Sequence, residues 1–169
     1  MIRNDPFLFS SYNALGELNY WVGRDYLPKK ENSFRIKYDN PKVEKKNIIF
    51  NEEKLQWDAD ITIVEGPFDH IVVPNSVPLL GKALNKEYKL YWDLITKANA
   101  NVNIMLDADA FNTVKDIYKF LNHGKLYGKV RYIPIEGDED PSSLYQNGGY
   151  KEIARHLANA QQIDEVYLQ

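Results

Sequence analysis

Three apolar, strand-like runs of this chain each give out onto carboxylates. Ile61-Thr62-Ile63-Val64 ends at Glu65-Gly66, Val102-Asn103-Ile104-Met105-Leu106 ends at Asp107-Ala108-Asp109, and Val130-Arg131-Tyr132-Ile133-Pro134-Ile135 leads into Glu136-Gly137-Asp138-Glu139-Asp140-Pro141. If the runs are neighbours in one sheet, Glu65, Asp107, Asp109, Asp138 and Asp140 share an edge. Two carboxylates about 4 Å apart repel by roughly 4 kcal/mol at an effective dielectric near 20, so such a cluster takes up protons or binds a cation. Oxygen donors alone, with room for water, suit Mg²⁺ or Mn²⁺. In Asp107-Ala108-Asp109 the acids are two apart, which at a strand end points them the same way, and the alanine between leaves space for a phosphate. Any one Asp-x-Asp is also ordinary turn chemistry. Three acidic strand ends in succession are not.

The elements that must position these acids can be read from periodicity. Ile61–Val64 and Val102–Leu106 are mostly apolar runs, broken only by Thr62 and Asn103, of the kind buried on both sheet faces. Between them, Asn85 can cap a helix over 86–97 with Tyr88, Tyr91, Trp92 and Ile95 on one face. After Asp109, Val114, Ile117, Tyr118 and Leu121 suit a helix stopped at His123-Gly124, and a last helix is expected over about 150–161, beyond the Gly148-Gly149 break. Strand, helix, strand, helix, strand predicts a mostly parallel central sheet flanked by helices, with ligands at the carboxyl ends of its strands. Ahead of residue 59 the chain is irregular and aromatic. Asn19–Arg24 and Phe34–Tyr38 read as short strands around the turn material of 27–32, forming a small antiparallel extension.

Composition narrows the classes. The 169 residues are 44% hydrophobic and 27% charged, enough for a core without staples. There is no cysteine, which excludes disulfides, zinc ribbons and thiol catalysis within this chain. No apolar run reaches a membrane span, and Met1–Pro6 lacks a signal-peptide core, so a cytoplasmic location is expected. A net charge of −3 argues against binding nucleic acid by bulk electrostatics. Locally, however, residues 24–46 hold eight Lys and Arg against four Asp and Glu. Tyr20, Trp21 and Tyr38, beside that basic segment, are candidates for stacking on bases, whereas Tyr88, Tyr91 and Trp92 at helical spacing read as core. His70, His123 and His156 show no ligand spacing and read as surface or capping residues.

Taken in order, Ile63-Val64-Glu65-Gly66-Pro67-Phe68-Asp69, Leu80-Gly81-Lys82-Ala83-Leu84, Met105-Leu106-Asp107-Ala108-Asp109-Ala110 and Asp140-Pro141 resemble the Toprim pattern of the DnaG-type DNA primase family, bacterial and bacteriophage. In the front part, Val22-Gly23-Arg24 resembles the Gly-Arg strand of the primase core. Lys37-Tyr38-Asp39-Asn40-Pro41 resembles its Lys-Tyr-x-Asn segment, and Asn47-Ile48-Ile49-Phe50-Asn51 occupies the place of the connector. The likeness covers roughly residues 15 to 148. Two departures stand out: Asp140-Pro141-Ser142 replaces Asp-Pro-Asp, and Ala110-Phe111-Asn112 lacks the glycine that follows the Asp-x-Asp.

The resemblance implies a Toprim-like α/β fold, with 1–58 an extension resembling part of the primase RNA-polymerase core, 59–148 the Toprim domain, and 149–169 a carboxyl-terminal helix and tail. It implies Glu65, Asp107 and Asp109 as catalytic, metal-holding carboxylates, with Asp140 and Asp138 as further metal positions and Asp69 in a secondary role. An Asp at 69 also suits a helix start. Arg24, Lys37 and Asn40 would line the groove for template or nucleotide. Lys82 is a weaker phosphate candidate that reads first as a solvated lysine at a helix start. The implied activity is Mg²⁺- or Mn²⁺-dependent synthesis of RNA primers on single-stranded DNA from ribonucleoside triphosphates. The implied partner, a replicative helicase, would be reached through parts outside this chain. A Toprim nuclease and a non-catalytic nucleic-acid-binding or replisome-assembly module are the alternatives, and a fragment, a subunit and a divergent relative all remain open.

Overall fold

The computed structural model describes residues 7–24, 38–81 and 83–164. Lys37, Lys82 and most of the expected strand 34–38 therefore lie outside the described residues.

The carboxyl-terminal two-thirds of the chain is organised by a four-stranded, all-parallel sheet. Its strands are β4 (Ile61–Val64), β5 (Ser76–Pro78), β6 (Val102–Met105) and β7 (Val130–Tyr132), in the order β5-β4-β6-β7. The central pair keeps Ile63 beside Ile104 and Val64 beside Met105. Every residue of β4 and β6 is buried, because helices cover both faces. Alternation sends Ile61, Ile63, Val102 and Ile104 to one face. There they meet Leu90 and Leu94 of α2 (Lys89–Lys97) and Val114, Ile117 and Leu121 of α3 (Phe111–Leu121). Val64 and Met105 face the other way, onto Val72 of α1 (Pro67–Val72) and Leu144 and Ile153 of α4 (Pro141–Ala158).

Ahead of the sheet, β1 (Phe7–Tyr12), β2 (Leu18–Arg24) and β3 (Tyr38–Asp39) form an antiparallel sheet in that order. The turn between β1 and β2 is held by Asn13, whose Oδ1 accepts the N–H groups of Leu15 and Glu17, and by Gly16 at φ +76°. This small sheet is not a free appendage. Tyr20 and Val22 pack with Phe50 and Leu80, while Ile49 enters the main core. The buried carboxylate of Glu52 pairs with Lys89 and, at 3.9 Å, with Lys97 on α2.

Several elements depart from expectation. The helix expected from 86 starts at Lys89, because Asn85 Oδ1 caps a separate turn through the Glu87 N–H at 2.8 Å. The third strand stops at Tyr132 rather than Ile135, since Pro134 has no N–H to continue the ladder. The last helix begins at Pro141, not near 150. Asp140 Oδ1 accepts the Ser143 N–H at 2.6 Å, Pro141 takes the first helical position, and Gly149 at φ +62° makes a kink within α4 rather than its start. Strand β5 went unread, being three residues long and closed by a proline at the sheet edge. Trp92, expected in the core, is 51% exposed, while Tyr91 is buried.

His70 is neither surface nor cap. It is half-buried against Phe9 and Phe50, and its two ring nitrogens lie 3.1 Å from Asn51 Nδ2 and 3.0 Å from Ser76 Oγ. The network fits a neutral ring that accepts from Asn51 and donates to Ser76, whose hydroxyl in turn donates to the Val73 carbonyl. Burial lowers the pKa of His70 to about 4, with a smaller push from Lys54.

A candidate carboxylate centre at the sheet edge

At the carboxyl edge of the parallel sheet a cleft of about 530 Å³ opens toward the antiparallel extension. One wall carries Glu65, Asp69, Asp107 and Asp140, and the facing residues include Arg24, Asn40 and Lys45. Two smaller hollows adjoin it. Asp107 and Asp140 also line the first, together with Asp109 and Asp138, and Glu65 lines the second with Asp109. Glu65, Asp107, Asp109 and Asp140 each line two of the three spaces, and the acids come from beyond the ends of β4 and β6, from the first turn of α1 and from the loop that enters α4.

Asp107 and Asp109 do not point together into the large cleft as strand alternation would have them. Strand β6 ends at Met105, and Ala108–Ala110 already form a 3-10 turn in which the Ala110 N–H bonds back to the Asp107 carbonyl. Asp107 faces the large cleft and the first hollow, and Asp109 faces only the hollows.

Electrostatics single out Asp107. Its pKa is pushed up to about 7, first by burial and then by the charges of Glu65, Asp69, Asp140 and Asp109. Its Oδ1 is buried with no hydrogen-bond partner among the described residues. A buried carboxylate oxygen lacking a donor, surrounded by like charges, is where a cation would relieve both costs. No three of the described acids or imidazoles converge tightly enough to enclose an ion by themselves. That arrangement fits Mg²⁺ or Mn²⁺, which is held by one or two carboxylates and keeps several waters for exchange with phosphate oxygens.

Asp69 plays another part. Its Oδ2 accepts the Gly66 N–H at 3.1 Å, capping α1, and its Oδ1 accepts the Ser142 hydroxyl at 2.8 Å, so both oxygens are occupied. Burial raises its pKa, while those two hydrogen bonds oppose the rise. Asp140 is likewise committed on one oxygen to the cap of α4, and Asp138 is exposed.

On the opposite wall, Arg24 lies 4.7 Å above the ring of Phe68, and the Asn40 Oδ1 is buried without a partner among the described residues. Lys45 makes no ion pair among the described residues; it was one of eight cations in a run, with nothing in its spacing to mark it. Tyr20, a stacking candidate from the sequence, is only 2% exposed and belongs to the packing beneath the cleft. Phe68 and Ser142 are cleft residues that sequence reasoning passed over. Phe68 sits between the acid pair Glu65 and Asp69, which drew attention away from the ring, and Ser142 counted only as a missing acid.

No family model matches the chain, and no curated protein gives a significant match in sequence. Solved structures do match in fold. The Aquifex aeolicus primase, with its zinc-binding and RNA polymerase domains, superposes with a TM-score of 0.72 at 20% identity, over 96% of this chain and 42% of that one. A DNA primase domain from Pseudomonas aeruginosa gives 0.71 at 22% identity, over 96% and 54%. The DnaG primase catalytic domain bound to single-stranded DNA gives 0.67 at 18% identity, over 93% and 52%. The chain spans about half the length of these structures and has the fold of the DnaG-type primase catalytic domain.

Proposed function

We propose that this chain is the catalytic core, or a piece of one, of a DNA primase that joins ribonucleotides on a single-stranded DNA template. The observation that carries the reading is Asp107, a carboxylate with an unpartnered buried oxygen among like charges, facing Arg24 and Lys45 across one cleft. Acids on one wall and cations on the other suit a polyphosphate held between them. The primase fold supports the choice of polymer.

Mg²⁺ or Mn²⁺, held at Asp107 with one further carboxylate drawn from Glu65, Asp109, Asp138 and Asp140, would neutralise charge on the triphosphate. Arg24 is suited to bidentate contact with a phosphate, and Lys45 to a point contact, so both would orient the polyphosphate tail. Lys37 and Lys82 are assigned the same kind of role. Asn40, whose Oδ1 meets no donor among the described residues, would accept from a nucleotide hydroxyl or amine. In the reaction a 3′-hydroxyl oxygen bonds to the α-phosphorus, the bond to the β-phosphate oxygen breaks, pyrophosphate leaves, and the hydroxyl proton passes to solvent. Asp69, with both oxygens engaged, positions α1 and with it the loop that bears Glu65. A replicative helicase would be engaged through segments beyond this chain.

Incubating the protein with single-stranded template, divalent metal and labelled ribonucleotides tests this directly. Short RNA products support the reading. Strand cleavage would point to a Toprim nuclease instead, and binding without products to a non-catalytic module.

A further inference from the structure

Strand β1 alternates, and its inward face carries Phe7, Phe9 and Ser11. Ser11 is fully buried and Phe9 packs 5.0 Å from Phe50, yet Phe7, on the same face, is 52% exposed. Phe7 thus stays open to solvent beside the cleft residue Phe68. Phe7 pairs across the strands with Arg24, and its ring centroid lies 6.4 Å from that of Phe68. Phe68 in turn lines the cleft beside Glu65 and carries the Arg24 guanidinium 4.7 Å from its centre. Two aromatic rings and one planar cation therefore meet beside an acid-walled cleft that Phe68 and Arg24 line. A flat, π-rich ligand attached to phosphate is the chemistry that uses all three.

We infer that Phe7, Phe68 and Arg24 form a stacking platform for a nucleobase whose sugar-phosphate reaches the wall of Glu65 and Asp107. This rests on the primase reading and deepens it, since it assigns where a base is gripped. The grip is indifferent to base identity, because no side-chain amide is among the three residues and every base presents a π face. The same chemistry serves a base in a single strand or in a free nucleoside triphosphate.

The test compares a labelled oligothymidylate with an abasic deoxyribose-phosphate oligomer of equal length and charge, at low salt. The platform predicts about 5- to 100-fold tighter binding of the base-bearing strand. Phe68→Leu and Phe7→Leu each shrink that ratio toward one, and Phe7→Leu, which leaves the seat of Arg24 on Phe68 intact, does so with the abasic affinity in place. Phe7 is exposed, so its variant folds even where Phe68→Leu disturbs packing, and a thermal melt verifies both. A parallel arm sets UTP against inorganic tripolyphosphate: a base-dependent gain there assigns the platform to the free nucleotide, and a gain confined to the oligomers assigns it to the strand. Equal binding of both oligomers by the unmodified protein, binding of neither, or a full ratio retained by both variants overturns the proposal. Primer synthesis is scored separately. Base-dependent binding without primers upholds the platform and sinks the primase reading, and primers without base dependence do the reverse.

Discussion

Ser142 Oγ donates a 2.8 Å hydrogen bond to Asp69 Oδ1, tying the first turn of α4 to the first turn of α1 behind the carboxylate wall. Ser142 stands where the family resemblance leads one to look for the second acid of an Asp-Pro-Asp. A hydroxyl there can donate to a buried carboxylate, which another carboxylate could do only by taking up a proton.

Removing the donor has a calculable cost. Ser142→Ala leaves the Asp69 oxygen buried without its partner, and stability should fall by about 1–3 kcal/mol. Since that hydrogen bond holds the pKa of Asp69 down against burial, the variant's Asp69 should also titrate higher than in the unmodified protein. Denaturant melts give the first quantity and carboxyl-resonance titration the second. An unchanged midpoint would mean that water replaces the hydroxyl.

Asp107 makes an opposite prediction. Its folded pKa, about 7, lies above the unfolded value near 3.8, so the native state binds the extra proton between the two. Its contribution is therefore intact below about pH 4 and is lost as pH rises through 7. Asp107→Asn should match the unmodified protein in acid and exceed it by on the order of 2 kcal/mol at pH 8 in chelator, after discounting for solvent screening. Millimolar Mn²⁺ should raise the melting temperature of the unmodified chain but not of the variant, because a ligand that binds only the folded state stabilises it by mass action.

His70 tilts stability the other way. Its folded pKa, about 4, lies below its unfolded value of 6.5, so the unfolded chain binds more protons between those limits. Stability should fall as pH drops from 6.5 toward 4, by at most about 3 kcal/mol. Asp107 and His70 thus oppose one another over most of that range. In the Asp107→Asn background the histidine slope should emerge alone and steeper, measured by urea melts at pH 7 and pH 5.

For the cation wall, Lys45→Ala and Arg24→Ala should each weaken single-stranded DNA binding and lower the salt slope by about one phosphate's share. Arg24→Lys should recover charge but not full affinity, since the flat guanidinium also lies on Phe68. Salt titrations of all three separate the roles.

Much of this site could be read from the chain because it depends on where buried strands stop. Ile61–Val64 and Val102–Met105 are apolar but for Thr62 and Asn103 and are flanked by turn residues, so Glu65 and Asp107 were bound to surface at one edge. What escaped reading had competing local explanations. Asp140-Pro141 looked like the acid of a loop and is also the start signal of a helix, and the helix is what forms. The Asp107-Ala108-Asp109 alternation holds only in a strand, and the chain has left strand geometry two residues earlier. Phe68 and Lys45 reach the cleft through the packing of the extension on the sheet, a relation between distant segments that no local pattern encodes.

The turn at Asn13–Glu17 and the hairpin it closes are assembled from neighbours, while β4 finds β6 only after some forty residues have been brought round through α1, β5 and α2. Closing a hairpin takes microseconds, whereas pairing distant parallel strands is far slower. The hairpin should consequently exist early, its inward aromatics waiting for a sheet to cover them. Phe9 and Tyr20 are then the surfaces at risk of self-association during refolding, and the yield of native protein should fall as the chain is refolded at higher concentration.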